Sequence, residues 1–315
     1  MSAPTLPSER RRVGALYALG LLDSGPDPAF DEVTRLAQRL FHTKVALVSL
    51  VDSERQWFKS HQGTTRTETP RDQAFCAHAI AGDDDVFYVE NALDDPRFRD
   101  NPLVTADPSI RFYAGAPVHT PDGHRLGTLC VIDDEPRTAD AADFEALGDL
   151  AAIINREIAQ AVVAVTDTLT GIHNRRGFDT AGRYLLDLAD RLDEPVVFLY
   201  ADVDNLKSLN DTDGHAAGDE ALRNAASLLR DQLREADIVA RVGGDEFAAL
   251  LKGASAADID APLDRVADAI AEHNRLHRSA PPVSLSIGWV ERRKGESFEH
   301  CVERADRAMY LRKPA

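Results

Sequence analysis

The chain has 315 residues, more than the roughly 100 to 200 of one domain, so two domains are expected. At 43% hydrophobic and 28% charged, with 19 Gly and 16 Pro, its composition is globular, which argues against disordered and collagen-like classes. A formal net charge of -17 repels a phosphate backbone, so nucleic acid is not an expected partner and any phosphate must be met by a metal ion, a helix N-terminus or a few placed cations.

In the N-terminal segment, residues 1–24, Arg10 to Arg12 precede a short apolar stretch that superficially suggests a signal peptide. Gly14 and Gly20 interrupt it and no clear small-residue cleavage site follows, so an amphipathic helix is expected. The longest apolar runs, such as Val45 to Val51, fall far short of the roughly 20 residues that span a bilayer. Cys76, Cys130 and Cys301 lie far apart without zinc or disulfide spacing and read as reduced thiols. A cytoplasmic protein without a membrane partner is expected.

Residues 25–137 read as an α+β domain: a helix over Pro28 to Leu40, then strands at Lys44 to Val51, Gln56 to Ser60, Val86 to Glu90, Tyr113 to His119 and Arg125 to Ile132, the last two joined by the Pro121-Asp122-Gly123 turn. Residues 138–165 read as one helix with Thr138 as N-cap and Asp140 and Asp143 in its first turn. Phe144, Leu147, Ala151, Ile154, Ile158, Ala161 and Val165 form a heptad seam. Such a seam suits a helix packed on its own domain or a parallel dimeric coiled-coil connector, and the position between two domains favours the connector. Residues 166–315 read as a second, α/β domain with a partly antiparallel sheet. Its strands are Val196 to Val203, Ile238 to Val242, Glu246 to Leu251 and Val283 to Val290, with helices near Arg176 to Leu192, Gly218 to Leu233, Ala261 to His273 and Phe298 to Arg312.

Two segments of the second domain carry chemistry. A buried strand runs into Asp202 and Asp204, placing carboxylates at a strand end where a hard divalent cation is suited. An EF-hand does not fit: the sixth position is Lys207 counting from Asp202 and Ala216 counting from Asp211. In Ala240 to Leu250, Gly243-Gly244-Asp245-Glu246 reads as a hairpin turn whose glycines permit positive φ and close approach of a ligand. Either segment alone also fits a solvated strand end or turn.

Together, and in order with Asp167-Thr168-Leu169-Thr170-Gly171, Asn174-Arg175-Arg176 and the closing Ala305, Asp306, Ala308, Tyr310 and Lys313, these residues resemble the GGDEF diguanylate cyclases over residues 166–315. The resemblance implies a nucleotide-cyclase-like fold and condensation of two GTP into cyclic di-GMP with release of two pyrophosphates, across a homodimer because each domain holds one GTP. It implies Mg2+ or Mn2+ held by Asp202, the Val203 carbonyl and Asp245. Glu246 completes the acidic cluster, and either it or Asp245 assists deprotonation. Asn210 and Asp219 would hold guanine, Lys207 and Lys313 would serve substrate binding, and His215 lies by the nucleotide. Arg234-Glu235-Ala236-Asp237 matches the family's RxxD site for inhibition by the product. Leu206 replaces the family's usual Phe, and the chain stops at Ala315, where relatives often continue with Gly-Arg-Asn. A catalytically weak or inactive cyclic di-GMP receptor is the alternative.

Residues 25–137 resemble a GAF sensor domain through Phe75, Cys76 and His78, Asp95 to Phe98, Arg111 to Pro117 and Gly127 to Asp133. The ligand or partner of this domain is unknown. Cys76 and His78, separated by Ala77, read as a buried structural pair and not as bilin or haem ligands. Arg111, Tyr113 and Trp57 either line a pocket for a small anion or cyclic nucleotide, or pack.

Overall fold

The structure is a computed structural model and describes residues 9–234 and 237–313. The chain divides into two units, residues 1–16 with 20–162 and residues 17–19 with 163–315. Among the described residues no helix is long and apolar enough to cross a membrane.

The first unit contains α1 (Glu9–Leu19) as far as Leu16, α2 (Pro28–Phe41), β1 (Val45–Val51), β2 (Arg55–Gln62), β3 (Glu68–Pro70), α3 (Phe75–Ala81), β4 (Phe87–Val89), α4 (Pro102–Thr105), β5 (Phe112–His119), β6 (Arg125–Asp133) and α5 (Ala141–Val165) as far as Val162. Its sheet runs β3-β2-β1-β6-β5-β4 with every neighbour antiparallel. Helix α2 begins where the sequence dictates: Asp27 accepts from the Ala29 N–H, Pro28 sits in the first turn, and Phe30, Val33, Thr34 and Ala37 bury one face. Helix α3 was absent from the sequence reading. Phe75, Cys76, Ala77, Ala79 and Ile80 are all buried, so the segment has no polar face and shows no helical period.

The basic run at the N-terminus has a structural task. Arg12 is fully buried and donates to the Val51 carbonyl (2.5 Å) and to both Glu9 carboxylate oxygens. Arg71 donates to the same carboxylate (2.6 Å).

Helix α5 starts at Ala141, and its cap is Asp140, not Thr138: Asp140 accepts from the N–H groups of Ala142 and Asp143, and Asp143 reciprocally accepts from the Asp140 N–H. This is a capping box two residues later than expected. The heptad seam is also not a free face. Leu147, Ala151, Ile154 and Ile158 are 0–3% exposed within the single chain. Phe144 packs edge-on to Tyr88, and Asn155 hydrogen-bonds His119 of β5. Within the single chain Leu147, Ala151, Ile154 and Ile158 form the buried stripe of one amphipathic helix.

The second unit contains β7 (His173–Asn174), α6 (Arg175–Leu192), β8 (Val196–Val203), α7 (Leu206–Asp213), α8 (His215–Gln232), β9 (Ile238–Arg241), β10 (Glu246–Lys252), α9 (Asp260–Leu276), β11 (Leu285–Glu291) and α10 (Phe298–Tyr310). Sheet order is β11-β8-β10-β9-β7, antiparallel except between β7 and β9. Strand β8 is central and buried at every residue. Val196, Phe198 and Tyr200 join a core with Phe178 and Leu185 of α6 and Phe298 and Met309 of α10. Val197, Leu199, Ala201 and Val203 join the opposite core with Leu222 and Leu229 of α8. Cover on both faces is why β8 is a continuous apolar run instead of an alternating one.

Candidate functional site

The alternation of β8 carries Asp202 onto the same face as Phe198 and Tyr200, directly opposite Glu246 in the β8–β10 register. Two carboxylates facing across a strand pair repel each other. The pair is held between two helix termini. Lys313, just beyond α10, places its ammonium 2.8 Å from Asp202, and Arg175, the first residue of α6, lies 3.7 Å from Glu246. Burial, and then the charge of Asp245, push Asp202 above the usual carboxylate range, against the pull of Lys313. Glu246 is raised by burial and by Asp306, against Arg175. Lys313, expected to serve the substrate, is in this conformation a partner of Asp202.

Asp245 is fixed by its backbone: the Val203 N–H donates to its carbonyl at 2.9 Å. The hairpin turn closes through the N–H groups of Val242 and Gly243 onto the Glu246 carbonyl. Gly243 and Gly244 do not adopt positive φ as expected. Gly243 is required for space, because a Cβ there would lie 2.4 Å from the Glu246 carboxylate, while Gly244 faces open space. Arg241, which the sequence reading passed over, donates to the Gly244 carbonyl at 2.6 Å and also reaches both Asp167 oxygens at 3.4 Å. Asp167 itself accepts from the Thr170 N–H and hydroxyl, and these bonds outweigh burial and hold its carboxyl low. The opening signature thus buttresses the hairpin. Its periodicity-free loop gave no signal for this beyond the motif itself.

On the other side, Asp204 accepts from the hydroxyls of Ser284 and Ser286, both at 2.6 Å. The chain then turns through Asn205 in a left-handed conformation into α7, a helix that the sequence did not announce because Ser, Asn, Asp and Thr dominate it. Gly214, at φ 86°, breaks α7 from α8, which begins at His215, three residues before the expected start at Gly218. Asn210 packs against the first turn of α8: a Cβ on Gly218 would lie 2.0 Å from Asn210 Oδ1, and Asp219 is the next residue in the chain. Lys207 and His215 are exposed at the starts of α7 and α8.

Arg234 is exposed, and Asp237 folds back to accept from the Arg234 N–H at 2.7 Å. Burial lifts Asp237 to about 6. Glu235 and Ala236 of that motif lie outside the described residues, as do residues 1–8 of the N-terminal segment.

Among the described residues, no three His, Cys, Asp or Glu side chains converge tightly enough to hold an ion by themselves. Asp202, Asp245 and the Val203 carbonyl are nevertheless hard oxygen donors beside a further acid, Glu246, the chemistry that suits Mg2+ or Mn2+.

The first unit holds a cavity of about 620 Å³ on one face of its sheet, lined among others by Leu47, Gln56, Phe58, Thr69, Cys76 and Tyr113. Gln56 Oε1 and Thr69 Oγ1, paired across β2 and β3, are buried there without a hydrogen-bond partner. Of the expected lining residues only Tyr113 is present. Arg111 is spent on the carbonyls of Val104, Ser109 and Ile110, and Trp57 alternates to the other face of β2 from Gln56 and Phe58. Cys76 and His78 also part company: His78 packs edge-on to Phe98, whereas Cys76 turns to the sheet.

Comparison with known proteins gives two family matches, "Diguanylate cyclase, GGDEF domain" over residues 164–315 and "GAF domain" over residues 25–158. Diguanylate cyclase DgcP of Escherichia coli is 29% identical over 259 residues, 77% of this chain and 74% of that protein. Cyclic di-GMP phosphodiesterase PA2567 of Pseudomonas aeruginosa is 49% identical over 138 residues, 44% of this chain and 23% of that protein. Response regulator PleD of Caulobacter vibrioides is 36% identical over 163 residues, 48% of this chain and 34% of that protein. The chain thus spans less than two thirds of the last two. The GGDEF domain of DgcB from Caulobacter crescentus, solved with c-di-GMP, aligns with 47% of this chain and 89% of its own at 31% identity and TM-score 0.43.

Proposed function

Since residues 164–315 belong to the GGDEF family and residues 25–158 to the GAF family, we propose that the chain is a signal-regulated diguanylate cyclase, joining two GTP into cyclic di-GMP with release of two pyrophosphates. The observation that carries this reading is the opposition of Asp202 and Glu246 across β8 and β10, with the Asp245 backbone locked onto Val203.

In this reading Asp202, the Val203 carbonyl and Asp245 hold the divalent ion, which when bound neutralises phosphate charge and favours ionisation of the attacking hydroxyl. The carboxamide of Asn210 and the carboxylate of Asp219 read the acceptor and donor edge of guanine, a reading supported by the close approach of Asn210 to Gly218, the residue before Asp219. Lys207, exposed at the first turn of α7, meets phosphate, with His215 beside the nucleotide. Asp245 or Glu246 takes the proton from a ribose 3'-hydroxyl as it attacks the α-phosphorus of the second nucleotide. The second nucleotide sits on a second copy of the domain, so catalysis needs a twofold homodimer. Arg234 and Asp237 form a product-inhibition site, and the GAF cavity takes the regulatory signal. A cytoplasmic location fits three free thiols.

The test is incubation of the purified chain with GTP and Mg2+, products resolved by mass, beside Asp245→Ala. Cyclic di-GMP from the parent and none from the variant is expected; an Asp245→Ala variant as active as the parent, or a different product from GTP, overturns the reading. One observation favours the second reading, a catalytically weak or inactive cyclic di-GMP receptor: the Lys313 ammonium already engages Asp202 at 2.8 Å. Cyclic di-GMP binding without synthesis, abolished by Arg234→Ala, would support it.

A further inference from the structure

Cys76 and Cys130 take no part in the proposed chemistry, and their surroundings differ from those of ordinary core thiols. Both are fully buried. A buried free cysteine usually packs as a small apolar group. Here the hydroxyls of Ser49, Thr128 and Tyr113 all donate toward Cys76 Sγ, at 3.0, 2.9 and 3.2 Å. Ser49 and Thr128 are themselves 0% exposed and Tyr113 is 1% exposed, so these donors have no water to turn to, only the sulfur and one another, Thr128 Oγ1 standing 3.4 Å from the Ser49 hydroxyl and 3.2 Å from that of Tyr113. Three buried O–H groups on one sulfur match a thiol poorly, since a neutral sulfur is a weak acceptor, and match a thiolate well.

The two thiols are also unequal. Burial raises Cys76, but hydrogen bonds from Cys130, Ser49, Thr128 and Tyr113 outweigh it and bring the thiol to about 7. Burial pushes Cys130 well above the usual thiol range, so it keeps its proton. Their sulfurs stand 4.0 Å apart, one on α3 and the other on β6. Cys76 also belongs to the wall of the 620 Å³ cavity, next to Phe75 and Tyr113, and since it is 0% exposed a small molecule in the cavity reaches its sulfur only when one of these aromatic neighbours shifts.

We propose that Cys76 is an oxidant-reactive thiolate and Cys130 its resolving thiol, so that a hydroperoxide entering the GAF cavity converts the pair into a reversible disulfide. The Cys76 thiolate attacks the O–O bond; an S–O bond forms, the O–O bond breaks, and the departing oxygen leaves as water or alcohol after taking a proton. Sulfur is oxidised by two electrons to the sulfenic acid and the peroxide is reduced by the same two. The Cys130 thiol then attacks that sulfur; an S–S bond forms, the S–O bond breaks, and water leaves with the thiol proton. The sulfurs close from 4.0 Å to about 2 Å. This inference does not rest on the cyclase reading.

The experiment treats the full chain with hydrogen peroxide, denatures it, alkylates the remaining thiols and maps the peptides by mass. The expected result is a Cys76–Cys130 link that a dithiol reverses, with Cys301 still alkylated. Cys130→Ser should instead accumulate a Cys76 sulfenic acid that a dione reagent traps. Thr128→Val keeps the side-chain shape and removes one donor; it should slow Cys76 oxidation roughly tenfold at pH 7 and move the pH midpoint of the reaction upward. Both thiols remaining free, under peroxide that fully oxidises the denatured chain, would overturn the proposal. Equal rates for the parent and Thr128→Val would overturn it too, whether or not the cysteine variants fold.

Discussion

At the scale of single residues, Gly218 decides where Asn210 can lie. Alanine there is favoured over glycine in a helix interior by about 1 kcal/mol, yet its Cβ would occupy the place of Asn210 Oδ1. Gly218→Ala is therefore expected to keep or raise the melting temperature while lowering affinity for a non-hydrolysable GTP analogue about tenfold, the worth of one good polar contact to a base edge. Calorimetric binding beside thermal melting checks this, and unchanged affinity would refute it. Asp237 supplies a pH signature. Its folded carboxyl is raised from 3.8 to about 6, chiefly by burial. A raised carboxyl lends stability that is fully present below the unfolded value, near 4, and lost as pH climbs through about 6. Asp237→Asn keeps an acceptor for the Arg234 N–H without the charge. It should exceed the parent in stability by about 1 to 3 kcal/mol at pH 7, with the difference vanishing toward pH 4. Urea unfolding at the two pH values reads it. Asp202, Asp245 and Glu246 were legible as a set through their motifs. Arg241 and the pairing of Arg175 with Glu246 were not, because a guanidinium gripping a carbonyl or a carboxylate from another element leaves no local pattern.

Elements divide by how they are covered. Strand β8 and helices α6 and α10 were legible because a two-sided strand and one-sided helices leave unmistakable periods. Helix α3 was hidden by burial on all sides, and α7 by residues that compete with the helical backbone for hydrogen bonds. The start of α5 was misjudged by two or three residues because Thr138, Asp140 and Asp143 all suit a cap, and only the observed bonds distinguish them. Asp140→Ala should cost about 1 kcal/mol in thermal unfolding, whereas Thr138→Ala should be neutral. Packing of α10 on β11 is tighter: a Cβ on Gly288 would lie 2.0 Å from the Met309 backbone nitrogen. Backbone cannot move aside as a side chain does, so Gly288→Ala should destabilise the second unit by about 1 to 3 kcal/mol.

For the molecule as a whole, composition announced two cores, and the two tryptophans offer a separate reporter for each, Trp57 in the first unit and Trp289 in the second. What composition concealed was an arginine at the centre of a fold. The Glu9 carboxylate, raised by burial but drawn down by Arg12 and Arg71 to about 2, adds stability that is present above about pH 4.5 and lost as pH falls toward 2. Glu9→Gln should weaken the first unit at pH 7 by about 2 kcal/mol, with the difference closing in acid, followed by Trp57 fluorescence in a Trp289→Phe background.

The grip of Arg241 has a mechanical meaning. Asn174 donates to the carbonyls of Ala164 and Thr166, and the Val165 carbonyl lies so close to Gly177 that a Cβ there would stand 2.5 Å away. Two residues later Asp167 takes the Arg241 guanidinium, whose other edge holds Gly244. The last turn of α5 and the tip of the acidic hairpin are therefore linked by a rod of hydrogen bonds that runs through Asp167 and Arg241. Arg241→Ala would cut that rod: amide exchange should quicken at Gly243 to Asp245 and stay slow along β8. A torque arriving at Val165 would then be dissipated before it reached the carboxylates.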